Sequence, residues 1–369
     1  MVVALLVVVM TPIVYSYVST MLSPSSLPLG VRTVEWIRSN GGAWLVNDIE
    51  RWYYSWNAPS KGGPPLHKLP KVGLRTHTPP AVKAAAYRPA NIRPVIHPAV
   101  SGEGVWARTG PEINGVPPVL VTEFRPEAAY PRNLAYVAWI NHKVTQLALY
   151  PGRYEPPSNR PRGPMKIPPR ERYRLLASFN SGFTYGDGHG GFAVNGHTYT
   201  PFTDGTGTLI GSRYGTVNIQ TWQGPSSPTG KWIAFARQNL PLIVDHGRPN
   251  PNLSGGPEWG ATLGNAVRVW RSGVGIDRHG NLIYLAADYM TVSSLANALI
   301  HAGAVRALEF DINPEWPSFI TYFRYGGRNP QKIVPNVQQP ATRYLNPDDR
   351  DFFAVYRRLP HRPVTVPFK

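Results

Sequence analysis

At 369 residues the chain exceeds the usual size of one domain, so one large domain with additional segments is expected. The 40 prolines and 35 glycines leave little room for long helices, and the absence of cysteine excludes disulfides and thiolate metal sites. A formal charge of +17 calls for anionic partners. Zinc-finger spacing, a basic helix with heptads and an aromatic-basic RNA-binding strand are all missing, which disfavours nucleic acid against a polyanion outside the cytoplasm.

Residues 1–22 are uncharged, and the apolar run from residue 2 has the length of one membrane span, about 20 residues. A transmembrane anchor is expected. A cleaved signal segment is the alternative, although no Lys or Arg precedes the apolar run. Residues 23–57 read as a juxtamembrane amphipathic segment in which two short pieces flank Gly41 and Gly42. Trp36, Trp44, Trp52, Tyr53 and Tyr54 suit either a membrane interface or packing against the main domain. Residues 58–102 form a Pro-rich basic linker. Lys61, Lys68, Lys71, Arg75, Lys83, Arg88 and Arg93 have no acidic residue among them, so the stretch is extended and self-repelling. It either attracts phosphate groups or is a solvated tether.

Residues 103–369 read as the globular domain. Stretches 118–124, 134–140 and 143–150 alternate or run apolar as strands do, and a basic, proline-rich surface loop follows at 153–170. A strand from 174 runs into Asn180-Ser181-Gly182-Phe183. The next loop, YGDGHGG at 185–191, carries Asp187 and His189. Its glycines permit close backbone approach to a ligand, but the ending of a P-loop is missing, and a hairpin connection is the alternative. Residues 242–247 are a buried run ending in Asp245, His246 and Gly247. A hairpin spans 268–287 around Arg278-His279-Gly280, with Arg271 in its first strand and Asp288 closing its second. Thr291 suits the N-cap of a helix over 292–301, with Leu295 and Leu299 on one face and Gly303 as terminator.

The strand at 307–310 then delivers Asp311, followed by Asn313, Pro314, Glu315 and Trp316 and a second apolar run at 319–323. Two carboxylates, an amide and an indole within six residues of a buried strand mark a candidate site. A tight turn in which Asp311 and Asn313 bond their own backbone is the alternative. The fold class is α+β: a mixed, strand-rich sheet domain with few helices, preceded by an N-terminal anchor and the linker.

This order of elements resembles the phosphodiester glycosidase family, which includes the mannose 6-phosphate uncovering enzyme. The family's Asn-Ala/Gly-Gly-Phe-Phe loop is matched by Asn180, Ser181, Gly182 and Phe183, with Thr184 in the last place. Its Arg leading into a glycine-containing hairpin is matched by Arg271, Gly273, Gly275 and Asp277. Its Leu-Asp-Gly-Gly-Gly-Ser is matched at Phe310 and Asp311, while Ile312, Asn313 and Pro314 replace the glycines, which points to a changed substrate. The resemblance covers about residues 175–323.

The resemblance implies hydrolysis of a glycosyl-1-phosphodiester through an oxocarbenium-like state. Asp311 is then base or stabiliser, Arg271 the bidentate phosphate clamp, Asn180 an orienting group, His189 an acid/base candidate and Glu315 a second carboxylate. Gly182, Phe183, Asn313 and Trp316 are expected around the substrate, Trp316 as a stacking plane. The alternatives are that Arg271 pairs with an acid at the sheet edge and that His189 is a solvated loop residue. No cofactor is required. Asp311, Asn313 and Glu315 offer hard oxygens to Ca²⁺ without a full coordination set.

The expected substrate is a phosphorylated glycan of the cell envelope, either a glycopolymer or a glycolipid. The competing reading is a non-catalytic envelope protein that binds an anionic glycopolymer through the same cleft and the linker. A membrane-anchored, extracytoplasmic location follows from the resemblance alone.

Overall fold

The computed structural model describes residues 2–70, 88–228, 230, 232–256, 259–260, 268–324, 326–335 and 339–359, without the side chains of 2–9. The linker reading at 58–102 therefore lies in part, over 71–87, outside the described residues.

Three antiparallel sheets carry the domain. The largest has the order β1-β2-β3-β14-β13-β15-β11-β12, formed by β1 (Ala107–Arg108), β2 (Val119–Phe124), β3 (Ala135–Ile140), β11 (Val244–Asp245), β12 (Arg248–Pro249), β13 (Val269–Asp277), β14 (Leu282–Met290) and β15 (Ala304–Ile312). A second, β17-β16-β5-β18-β4, joins β4 (Thr145–Tyr150), β5 (Leu175–Asn180), β16 (Phe319–Arg324), β17 (Arg328–Lys332) and β18 (Phe352–Arg357). The third, β7-β6-β10-β8-β9, holds β6 (Phe192–Val194), β7 (His197–Thr200), β8 (Gly207–Ser212), β9 (Val217–Thr221) and β10 (Ile233–Gln238).

Period-two alternation divides the large sheet between two cores. Val119 and Val121 of β2 face a core shared with Phe179, Phe319 and Phe353 of the second sheet and Phe235 of the third. Leu120 and Phe124 face the other way, onto a core with Leu295 and Leu299 of α5 (Val292–His301). Burial on both faces explains why these strands read as continuous apolar runs. Helix α5 starts as expected, the Thr291 hydroxyl accepting from the Ser294 amide at 3.1 Å, a cap worth about 1 kcal/mol. It gives way at Gly303, whose φ is 102°.

The amino-terminal segment is helical. Helix α1 (Val2–Leu22) forms over the stretch expected as an anchor, but among the described residues no helix is long and apolar enough to cross a membrane. The anchor is thus an expectation that the structure does not confirm. Helices α2 (Leu29–Ile37) and α3 (Ala43–Trp56) meet at a wide turn where Gly41 takes φ 87°. Of the two roles expected for the aromatic residues here, packing on the main domain is seen for Tyr54. Trp36 packs edge-on against Tyr17 of α1, whereas Trp44, Trp52 and Trp56 are 65–78% exposed.

Candidate active site

Asp311 is the penultimate residue of β15, at a break in the strand's register. Arg271 lies opposite Ile312 and Gly273 opposite Glu309, so Phe310 and Asp311 together face the single residue Ser272. This is a β-bulge, a device that re-aims side chains beside sites of function. The bulge is pinned by hydrogen bonds. The Ser272 hydroxyl donates to the Asp311 carbonyl at 2.7 Å, and the Asn180 amide donates to that hydroxyl at 3.0 Å. The Asn180 carbonyl oxygen accepts from the Tyr284 hydroxyl at 2.8 Å and the Ser318 amide at 2.9 Å. Every polar atom of the Asn180 side chain is therefore spent on protein, and its place in the site is as a support for Asp311.

The Asp311 carboxylate is 4% exposed and is held by Arg350, whose Nη2 lies 3.0 and 2.8 Å from the two oxygens. The same nitrogen donates to the Gly182 carbonyl at 3.2 Å, and the guanidinium lies 4.4 Å from the centre of the Trp316 ring. The Arg350 Nε is buried and has no hydrogen-bond partner among the described residues. Burial pushes Asp311 up to about 8, outweighing the opposing charge of Arg350. Arg350 is held above its ordinary value by Asp311, Glu155, Glu35 and Asp351, which together outweigh its own burial.

Further charged groups surround Arg350. Glu155 accepts from the Tyr185 amide at 3.1 Å, and burial raises it against the charge of Arg350. Arg237 pairs with Asp351 at 2.8 Å and donates to the Phe183 carbonyl at 2.7 Å. Two arginines thus clamp consecutive carbonyls of the 180–183 loop. Gly182 is required there, because a Cβ would stand 2.7 Å from the Asn239 amide.

The expected residues divide accordingly. Asp311, Gly182 and Trp316 meet around Arg350. Trp316 is 6% exposed, so the expected stacking plane is buried with a guanidinium on its face. Arg271 is fully buried and paired with Glu309, and it also donates to the Met290 carbonyl at 3.0 Å, so the alternative of pairing with an acid describes its position. Phe183 lies in an apolar cluster with Val269, Ile312 and Tyr54. Glu315 is half-buried and raised by that burial, and also by Glu50 and Glu35 of the amino-terminal helices. Asn313 takes φ 75° and donates its amide to the Trp270 carbonyl at 3.0 Å. His189 is exposed in a left-handed conformation at the end of a single helical turn, α4 (Tyr185–Gly188), with its ring edge-on to Tyr185. Among the described residues no group of three His, Asp or Glu side chains could hold a metal ion, so Asp311 and Glu315 belong to no such group.

Sequence reasoning missed Arg350, Arg237, Glu155 and Ser272. A signal existed for the first: Asp348, Asp349, Arg350 and Asp351 directly precede the apolar strand β18, an expensive position for charge unless it is paired. Each is paired. Asp348 binds Arg343, Asp349 binds Arg153, and Arg350 and Asp351 bind Asp311 and Arg237.

No curated protein matches the chain. The solved structures that overlap it include the zebrafish N-acetylglucosamine-1-phosphodiester alpha-N-acetylglucosaminidase catalytic domain auto-inhibited by pro-peptide and a hypothetical protein from Synechocystis. The first is 12% identical, with 65% of this chain and 82% of that chain covered at a TM-score of 0.44. The second is 15% identical, with 67% and 63% covered at 0.39. The family model of the phosphodiester glycosidases matches residues 173–311, from just before β5 to Asp311 itself. The resemblance read from Asn180, Arg271 and Asp311 is borne out: over those residues this chain is similar to the phosphodiester glycosidase family.

Proposed function

We propose that the protein hydrolyses a glycosyl-1-phosphodiester in a phosphorylated glycan of the cell envelope, with Asp311 and Arg350 at the reacting bond. The observation that supports this most is the buried Asp311 carboxyl gripped by Arg350, whose Nε is left as an open buried donor. A carboxyl raised to about 8 is protonated at neutral pH, the state a proton donor needs. Arg350 binds the phosphate oxygens and carries their developing charge. Asp311 protonates the oxygen that leaves C1 with the phosphate. The C1–O bond breaks, water adds to C1, and the water's proton passes to Glu155, whose charge acts on Arg350. Asn180 and Ser272 support the bulge that aims Asp311.

The test is hydrolysis of a synthetic sugar-1-phosphate diester by the full chain and by Asp311→Asn. Turnover lost in the variant at unchanged melting temperature supports the enzyme. Equal rates remove Asp311 from the reaction. Binding of the diester without turnover by either chain favours the non-catalytic glycopolymer binder.

A further inference from the structure

A concavity opens at the end of the large sheet where Asp311 emerges. It holds about 280 Å³ and is walled by Tyr130, Tyr136, Trp270, Asp288 and Tyr289. Pairing explains the gathering. Glu123 of β2 lies opposite Tyr136 of β3, and Tyr136 lies opposite Ala286 of β14. Asp288, two residues beyond Ala286, shares that face. The Tyr136 and Trp270 rings stack at 6.4 Å and 17°. Pro59 and Ser60 close one side, where the Gly62 amide donates to the Ala129 carbonyl at 3.0 Å.

Two buried carboxylates on one face are costly: Asp288 lines the cleft, and Glu123, cross-strand from Tyr136, shares that face without lining it. Glu123 is 6% exposed and its Oε2 has no hydrogen-bond partner among the described residues. Asp288 accepts from the Tyr289 amide at 2.7 Å and from the Trp270 side chain. Burial raises Asp288 to about 6 and Glu123 to about 7. The proposed reaction uses neither group. A polyhydroxylated ring has hydroxyls to exchange with Asp288 and the tyrosine and Asn133 side chains of the lining, and a C–H face to lie on an aromatic plane. An organic cation fits less well. Arg132 also lines the cleft, and Arg268 already covers the Tyr130 ring at 3.7 Å. The volume lies below the ~300 Å³ at which drug-sized pockets begin, which limits the occupant to one ring.

We propose that this cleft is a subsite for one pyranose residue of the glycan whose phosphodiester is presented to Asp311, an inference that rests on the reaction proposed above. The two places are joined through the backbone, since the Trp270 carbonyl accepts the amide of Asn313, two residues past Asp311.

Saturation-transfer NMR on the full chain tests it, with the methyl glycosides of glucose, mannose, galactose and N-acetylglucosamine as probes and tetramethylammonium as the cation probe. At least one glycoside should bind the wild-type protein and Asp311→Asn equally. Its affinity should fall about tenfold or more in Asp288→Asn and in Tyr289→Ala, each shown to be folded by its thermal melt. Tyr289 is partly exposed, so its variant keeps the test alive if Asp288→Asn does not fold. The subsite is overturned if no glycoside binds, if binding survives undiminished in the folded variants, or if tetramethylammonium binds in their place. Glycoside binding without diester hydrolysis would count against the reaction alone. Hydrolysis without glycoside binding would count against the subsite alone.

Discussion

Nη2 of Arg350 lies 2.8 and 3.0 Å from the two carboxylate oxygens of Asp311, joining the end of β15 to the residue that leads into β18. Asp311→Asn should abolish diester hydrolysis. Arg350→Met should lower kcat by about 10²- to 10³-fold, the usual cost of losing one oriented donor at developing charge. Arg350→Lys should not restore the rate, because an ammonium cannot reproduce the spread of a guanidinium's donors. Steady-state kinetics on folded variants read all three.

The pH profile gives an independent check on the direction of proton transfer. Burial raises Asp311 to about 8 against the opposing charge of Arg350, so the carboxyl is protonated below that value and ionised above it. As proton donor it should give a kcat/KM that is level on the acid side of about 8 with respect to this group and falls about tenfold per unit above it. A rate that instead climbs through pH 8 would make Asp311 the base.

Glu123 should control stability rather than rate. Burial lifts it from 4.5 to about 7, so between those values the folded chain holds a proton that the unfolded chain has released. Its contribution to stability is full below about 4.5 and is lost as pH rises to about 7. Glu123→Gln should flatten this decline and raise the melting temperature at pH 8 relative to wild type, with little change at pH 4. Thermal melts across that range would show it.

Arg271 should behave unlike Arg350. It is fully buried, and its loss strands Glu309 as an uncompensated charge. Arg271→Met should therefore destabilise the fold by about 3–5 kcal/mol, and adding Glu309→Met should recover much of the loss. Denaturant titration of the single and double variants measures both.

Local signals carried the sequence reading a long way. The hairpin of β13 and β14, the Thr291 cap and the strand ending near Asp311 each announce themselves within a dozen residues, through periodicity, turn chemistry and capping. Asp311 was legible for that reason. Arg350 was not, because its meaning depends on β18 lying beside β5, a pairing of residues more than 170 apart in the chain. Burial was equally hidden. Arg271 and Trp316 have the right chemistry for phosphate and sugar, and only packing reveals that Glu309 and Arg350 already occupy them. In the third sheet, strands as short as Phe192–Val194 carry too few residues to display a period.

The replacement of three glycines by Ile312, Asn313 and Pro314 acquires a physical meaning from the structure. Only Asn313, at φ 75°, needs the left-handed backbone that glycine supplies, and asparagine tolerates it better than most residues. Ile312 instead brings an apolar side chain that packs with Phe183, Val269 and Tyr54 beside Asp311. That apolar cluster begins one residue past the buried carboxyl. Ile312→Gly should open that cluster to water and lower the pH at which kcat/KM begins to fall, so an isoleucine in a glycine's place becomes a handle on when the centre can give up its proton.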